Sequence, residues 1–205
     1  AITEDHNGLI WIAAQQGLFI FNQANRRTEK LAINNPMLGD YAPRALVEDN
    51  AHRMWVGTYG QGLYVYGPDR RLLRKMDVSS GLRSNTINHL LKDRNGHIWV
   101  ATNEGIARQD AQMAIGNLEI LMPSGEDAWL FVNALTEDKL GHIWSSTKSG
   151  LLRYVPTEKR FLQYDQSFGM PLGGVINGSV GQDSRGRIFF GMQEGAWYLD
   201  PRGIP

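Results

Sequence analysis

The chain has 205 residues, enough for one domain or a small pair, with 21 basic and 21 acidic residues and a formal net charge of zero. That balance argues against a nucleic-acid footprint, which needs a basic excess or stripe, and the lack of cysteine excludes a disulfide framework and a thiolate metal site. No apolar run reaches the length of a membrane span, no signal peptide is visible, and no long stretch holds a helical period capped at both ends.

Taken in order, the chain reads as short strands separated by turns. Residues 1–31 hold strands near 9–13, 17–22 and 28–31, then a loop over 32–43 that contains Pro36, Gly39 and Pro43. A second unit spans 44–77, and the segment 79–85 leads into a third over 86–122. In that third unit Ile106-Ala107-Arg108-Gln109-Asp110 replaces an apolar third strand, and residues 111–117 read as a turn or half-helix. A loop over 123–129 precedes a fourth unit at 132–165, and 168–174 lead into a fifth at 175–200.

The units are copies of one another. Aspartates fall at 5, 49, 93, 138 and 183, in steps of 44, 44, 45 and 45. An aromatic residue follows in the same register: Trp11, Trp55, Trp99, Trp144 and Phe189. The Asp-x-x-Gly segment is turn chemistry, because Asp bonds the backbone two residues on and Gly accepts a positive φ. The run after it, such as Ile98-Trp99-Val100-Ala101-Thr102, is apolar on successive residues, which suits a strand covered on both faces. A repeat of this length built from strands predicts an all-β fold: a β-propeller of four-stranded antiparallel blades, with 1–205 as a single propeller region of about five repeats. The last blade lacks an outer strand, and the expectation is a fragment of a larger array rather than a closed five-bladed ring.

The pattern Asn85-x-Ile87, then Asp93-x-x-Gly96-x-Ile98-Trp99-Val100-x-Thr102-x-x-Gly105, resembles the repeat of the two-component regulator propeller family, and nearly the whole chain carries it. The departures are His52 at the turn Gly, Ala14 and Met192 where Thr is usual, and Phe189 in place of Trp. The resemblance implies the periplasmic sensor of a membrane-spanning bacterial regulator, such as a hybrid histidine kinase responding to carbohydrates or a receptor with a cytoplasmic diguanylate cyclase. It further implies no catalysis, no cofactor and no membrane contact in this segment. The implied partners are adjacent propeller or sandwich domains and a second copy in a homodimeric receptor.

A ligand is expected on the face that carries the loops between second and third strands and between blades, because loops on a rigid scaffold are the usual carriers of binding. That face would present Tyr41, Arg44, Tyr59, Gln61, Arg83, Asn85, Asn103, Trp129, Lys148, Met170, Asn177 and Gln193. Aromatics mixed with Arg, Asn and Gln suit a small polar ligand or oligosaccharide. Trp129 stands out because it breaks the repeat, whereas the repeating tryptophans read as packing between blades.

No metal site is expected. The five aspartates sit in different blades, and His6, His52, His89, His97 and His142 show neither a His-x-x-x-His spacing nor a carboxylate partner pattern. Ser79-Ser80 and Ser145-Ser146 lack a nucleophile elbow, and the separation of Glu126 and Asp127 from other carboxylates is not legible. Two rival readings are a lyase resembling the streptogramin-inactivating propeller, with His89 as its acid/base, and a WD-like interaction scaffold.

Overall fold

The computed structural model describes residues 1–31, 42–123, 131–168 and 175–204. Each repeat folds into one antiparallel sheet whose strands stand in chain order. The first sheet holds β1 (Ile2–Glu4), β2 (Leu9–Ala14), β3 (Gly17–Asn22) and β4 (Arg27–Leu31). The second holds β5 (Pro43–Glu48), β6 (Met54–Thr58), β7 (Leu63–Tyr66) and β8 (Leu72–Met76). The third holds β9 (Ile87–Lys92), β10 (Ile98–Thr102), β11 (Gly105–Gln109) and β12 (Leu118–Leu121). The fourth holds β13 (Val132–Glu137), β14 (Ile143–Thr147), β15 (Gly150–Val155) and β16 (Arg160–Tyr164). The fifth has three strands, β17 (Val175–Gln182), β18 (Ile188–Met192) and β19 (Gly195–Leu199). The architecture is the expected β-propeller. Among the described residues the other regular elements are single 3-10 turns at Val78–Ser80, Gln166–Phe168 and Pro201–Gly203.

The repeated residues make each blade in two steps. First, one oxygen of each aspartate closes the turn. Oδ1 of Asp5, Asp49, Asp93, Asp138 and Asp183 accepts the backbone N–H two residues on and four residues on, at 2.9–3.0 Å. Second, Oδ2 accepts the indole N–H six residues on, at 2.7–2.8 Å, in the Asp5–Trp11, Asp49–Trp55, Asp93–Trp99 and Asp138–Trp144 pairs. A buried indole must find an acceptor. The turn aspartate supplies it, so the two repeat positions are one unit. In the fifth blade Phe189 carries no N–H, and Arg187 Nε donates to the freed Asp183 Oδ2 at 2.7 Å. At the far end of the hairpin Thr58, Thr102 and Thr147 donate their hydroxyls to the carbonyls of Gly62, Gly105 and Gly150 at 2.8–3.0 Å.

The irregular third blade still forms its third strand. Arg108 on β11 lies over the Trp99 ring and pairs with Glu119 at 2.5 Å. Gln109 is buried, and its amide binds the carbonyls of Asp110, Met113 and Ala114 and the N–H of Gly116. That one side chain shapes residues 111–117 into successive turns.

The core lies between blades, one apolar cluster per junction. Trp11, Leu18 and Ile20 meet Met54, Val56 and Tyr66, and Trp55 and Val65 meet Leu90, Ile98 and Val100. Trp99 and Ile106 meet Leu135, Leu152 and Tyr154, and Trp144 and Leu151 meet Ile188 and Phe190. Strands β6, β10 and β14 are buried at every residue, as the apolar runs predict. Strands β2 and β18 alternate between buried and half-buried residues. The first and fifth sheets are therefore covered on one face only, and Ile2 (71 % exposed) and Tyr198 (54 %) stand open to solvent.

Candidate functional site

The loop face gathers a polar cluster where inner strands of four blades meet. Its centre is Asn88 on β9, 2 % exposed. The Asn88 amide donates to Asn103 Oδ1 at 2.9 Å and to the Val132 carbonyl at 2.8 Å. Its carbonyl oxygen accepts from Asn177 at 3.2 Å and from Arg44 at 3.5 Å. Arg44 stacks on Tyr59, its guanidinium carbon 4.4 Å from the ring centroid. Burial lowers the Arg44 pKa, while the neighbouring Tyr59 acts in the opposite direction. Tyr59 is 47 % exposed, so one ring of this cluster remains available to a ligand. Stacked Tyr and Arg beside amides offer a flat apolar surface with fixed donors and acceptors, which is chemistry suited to a hydroxyl-rich molecule.

Arg44, Tyr59, Asn103 and Asn177 thus converge, although they come from three different blades. The other described candidates do not join them. Asn85 is consumed by the loop: its side chain accepts from Val78 N–H and its carbonyl accepts from Gly60 and Gly62. Gln61 docks its N–H on the Thr58 hydroxyl. Lys148 lies over the Phe131 ring, 4.7 Å from its centroid. Arg83 and Gln193 are exposed. Tyr41, Trp129 and Met170 lie outside the described residues, as do Glu126 and Asp127. Asn88 was missed by the sequence reading. The available signal was an amide directly after Ile87 in a strand that also holds Leu90 and Leu91, where burial demands partners.

Two clefts lie away from this cluster. One, of about 210 Å³, sits between the turns of the second and third blades and is lined by Asp49, Trp55, Gly96 and Asp110. A broader groove runs past Asn25, Arg27, Pro68 and Arg70 at the rim.

The serines considered as nucleophiles have structural places. Ser79 and Ser80 cap a 3-10 turn with Asp77, and Ser145 and Ser146 are buried in β14. His89 accepts the Leu135 N–H on Nδ1 at 3.1 Å, and burial lowers its pKa to about 4. That nitrogen is spent on the junction between the third and fourth blades.

Residues 81–104, which include the turn and central strand of the third blade, match the family described as Two component regulator propeller. That segment carries the two-component regulator propeller repeat. The extracellular domain of BT3049 from B. thetaiotaomicron, described as a hybrid two-component system, is 32 % identical over 98 % of this chain with a TM-score of 0.88. The extracellular domain of BT4673 from the same organism, described as a one-component system, is 20 % identical with a TM-score of 0.75. The chain spans 27 % of the first of these and 28 % of the second. An inactive virginiamycin B lyase from Staphylococcus aureus shares the fold at 13 % identity, with a TM-score of 0.75, over 99 % of this chain and 67 % of its own. No curated protein sequence matches the chain.

Proposed function

We propose that this chain is an extracytoplasmic, periplasmic sensing segment of a bacterial transmembrane signalling receptor, binding a polar ligand such as a carbohydrate and catalysing nothing itself. The observation that carries the role is the 32 % identity to an extracellular two-component domain, sustained across 98 % of this chain. The chemistry of the Arg44–Tyr59–Asn88–Asn103–Asn177 cluster supports the ligand class. The cluster bonds blades two to five, so a ligand docking there would favour one packing of the blades over another, and a preference of that kind is what a sensor transmits. The rest of the receptor, with adjacent propeller or sandwich domains and a second copy of the chain, would read the shift.

A glycan panel titrated against the protein tests this. Binding by at least one oligosaccharide is expected, weakened roughly tenfold or more by Tyr59→Ala, the size of effect that loss of a stacked aromatic produces. A panel without a binder, or a bound glycan indifferent to both Tyr59→Ala and Asn177→Ala, would remove this reading of the site.

A further inference from the structure

The opposite face of the propeller, at the turns between first and second strands, carries a second cluster. His6 in the first blade meets Glu48 and His52 in the second. The backbone N–H of His6 donates to Glu48 Oε2 at 3.0 Å, and its Nδ1 lies 2.5 Å from Glu48 Oε1. The Nδ1 of His52 lies 3.6 Å from that same Oε1, beyond a good hydrogen bond. The two imidazoles are stacked, with centroids 3.8 Å apart and planes inclined by 26°. Both imidazole Nδ1 atoms thus face the same carboxylate oxygen, one in close contact and one held off it.

Comparison with the other blades shows how unusual this corner is. Where the third blade meets the fourth, Arg94 occupies the His6 position, and its backbone N–H and Nε donate to Glu137 at 2.9 and 2.6 Å. That is an ordinary ion pair between blades. At the His52 position the other four repeats carry Gly8, Gly96, Gly141 and Gly186, with φ of 75–86°. His52 holds φ of 59°, a left-handed conformation that costs a side-chain-bearing residue energy. Two differences from the third-to-fourth junction fall at one spot. One sets an imidazole where Arg94 stands, and the other places a strained imidazole where Gly141 stands.

We propose that His6, Glu48 and His52 form a divalent transition-metal site, best suited to zinc, that clamps the first blade to the second. The ligand atoms all lie within 4.8 Å of one another. Zinc–nitrogen and zinc–oxygen bonds of about 2.0–2.2 Å put neighbouring ligand atoms a little over 3 Å apart, so small side-chain rotations seat the ion. Two imidazoles and a carboxylate are a common zinc donor set, with the fourth position left to water. One carboxylate and two nitrogens do not make a calcium site, which needs six or more oxygens. Copper(II) and nickel(II) compete for the same donors.

The test is a zinc titration of the chelator-treated protein, followed by calorimetry and by histidine-selective NMR. One zinc ion per chain is expected, with the His6 and His52 resonances moving together and those of His89, His97 and His142 staying in place. His52→Gly restores the glycine of the other repeats, and His6→Arg recreates the Arg94–Glu137 pair, so both variants keep a folded precedent within the same chain. Each should weaken zinc at least tenfold and abolish the zinc-dependent rise in melting temperature. No binding by the unaltered protein at micromolar zinc overturns the proposal. So does zinc binding that survives both variants, or one that moves only the other histidines. None of these outcomes bears on glycan binding at the opposite face.

Discussion

At the scale of single residues, polar groups in this molecule are placed by what burial demands of them. The turn aspartate closes a loop with one oxygen and receives an indole with the other, so a residue that reads as a loop former is also a core residue: Asp49 and Asp138 are 3 % and 2 % exposed. His89 shows the same demand with a titratable group. Its ring sits against the fourth blade, and burial lowers its pKa from 6.5 to about 4. The unfolded chain therefore binds this proton more readily than the folded one. The stability tied to a neutral His89 is present above pH 6.5 and is lost as pH falls toward 4, amounting to on the order of 3 kcal/mol. Urea denaturation of the native chain and of His89→Asn, whose Oδ1 can replace Nδ1 as acceptor, should show a steeper loss between pH 6.5 and 4 in the native chain. Parallel curves would mean that the imidazole titrates normally.

At the scale of the element, the hairpin between second and third strands explains the repeat's last glycine. Gly150 has φ of 136°, and a β-carbon there would lie 2.1 Å from the Tyr164 carbonyl oxygen on the outer strand. Gly195 occupies the same place in the fifth blade with φ of 133°, yet nothing lies within 4 Å of such a carbon. The difference follows from the sheet: β16 stands beside β15, whereas among the described residues no fourth strand stands beside β19. Gly150→Ala should therefore cost about 3 kcal/mol or more, from backbone strain and collision together. Gly195→Ala should cost about 1 kcal/mol, from strain alone. Thermal melts of the two variants compare them directly, and equal losses would show that the outer strand is not the cause.

At the scale of the molecule, the blades form a one-dimensional stack in which each junction holds its own apolar cluster. Stability in such a stack is a sum of units and nearest-neighbour interfaces. The second, third and fourth blades have two interfaces, and the first and fifth have one covered face each. Amide hydrogen exchange should accordingly be slowest in β6, β10 and β14 and faster in β2 and β18, with the gap set by sub-global opening of the outer blades. Uniform protection across the five central strands would show that the stack opens as a single unit.

The sequence by itself determined the blade, because its period, its turn chemistry and its runs of apolar strand residues are local patterns that repeat within the chain. Period and register alone located all five aspartates and the four indoles of the repeat. What only the tertiary structure decided is which residues from different blades touch. Asn88 collects Arg44, Val132 and Asn177, and His6 meets Glu48 and His52, across separations of 42 to 89 residues. No local spacing encodes those meetings. They arise because each twisted sheet buries its apolar face on the next, and that stacking, rather than any motif, sets which polar ends arrive at the same place.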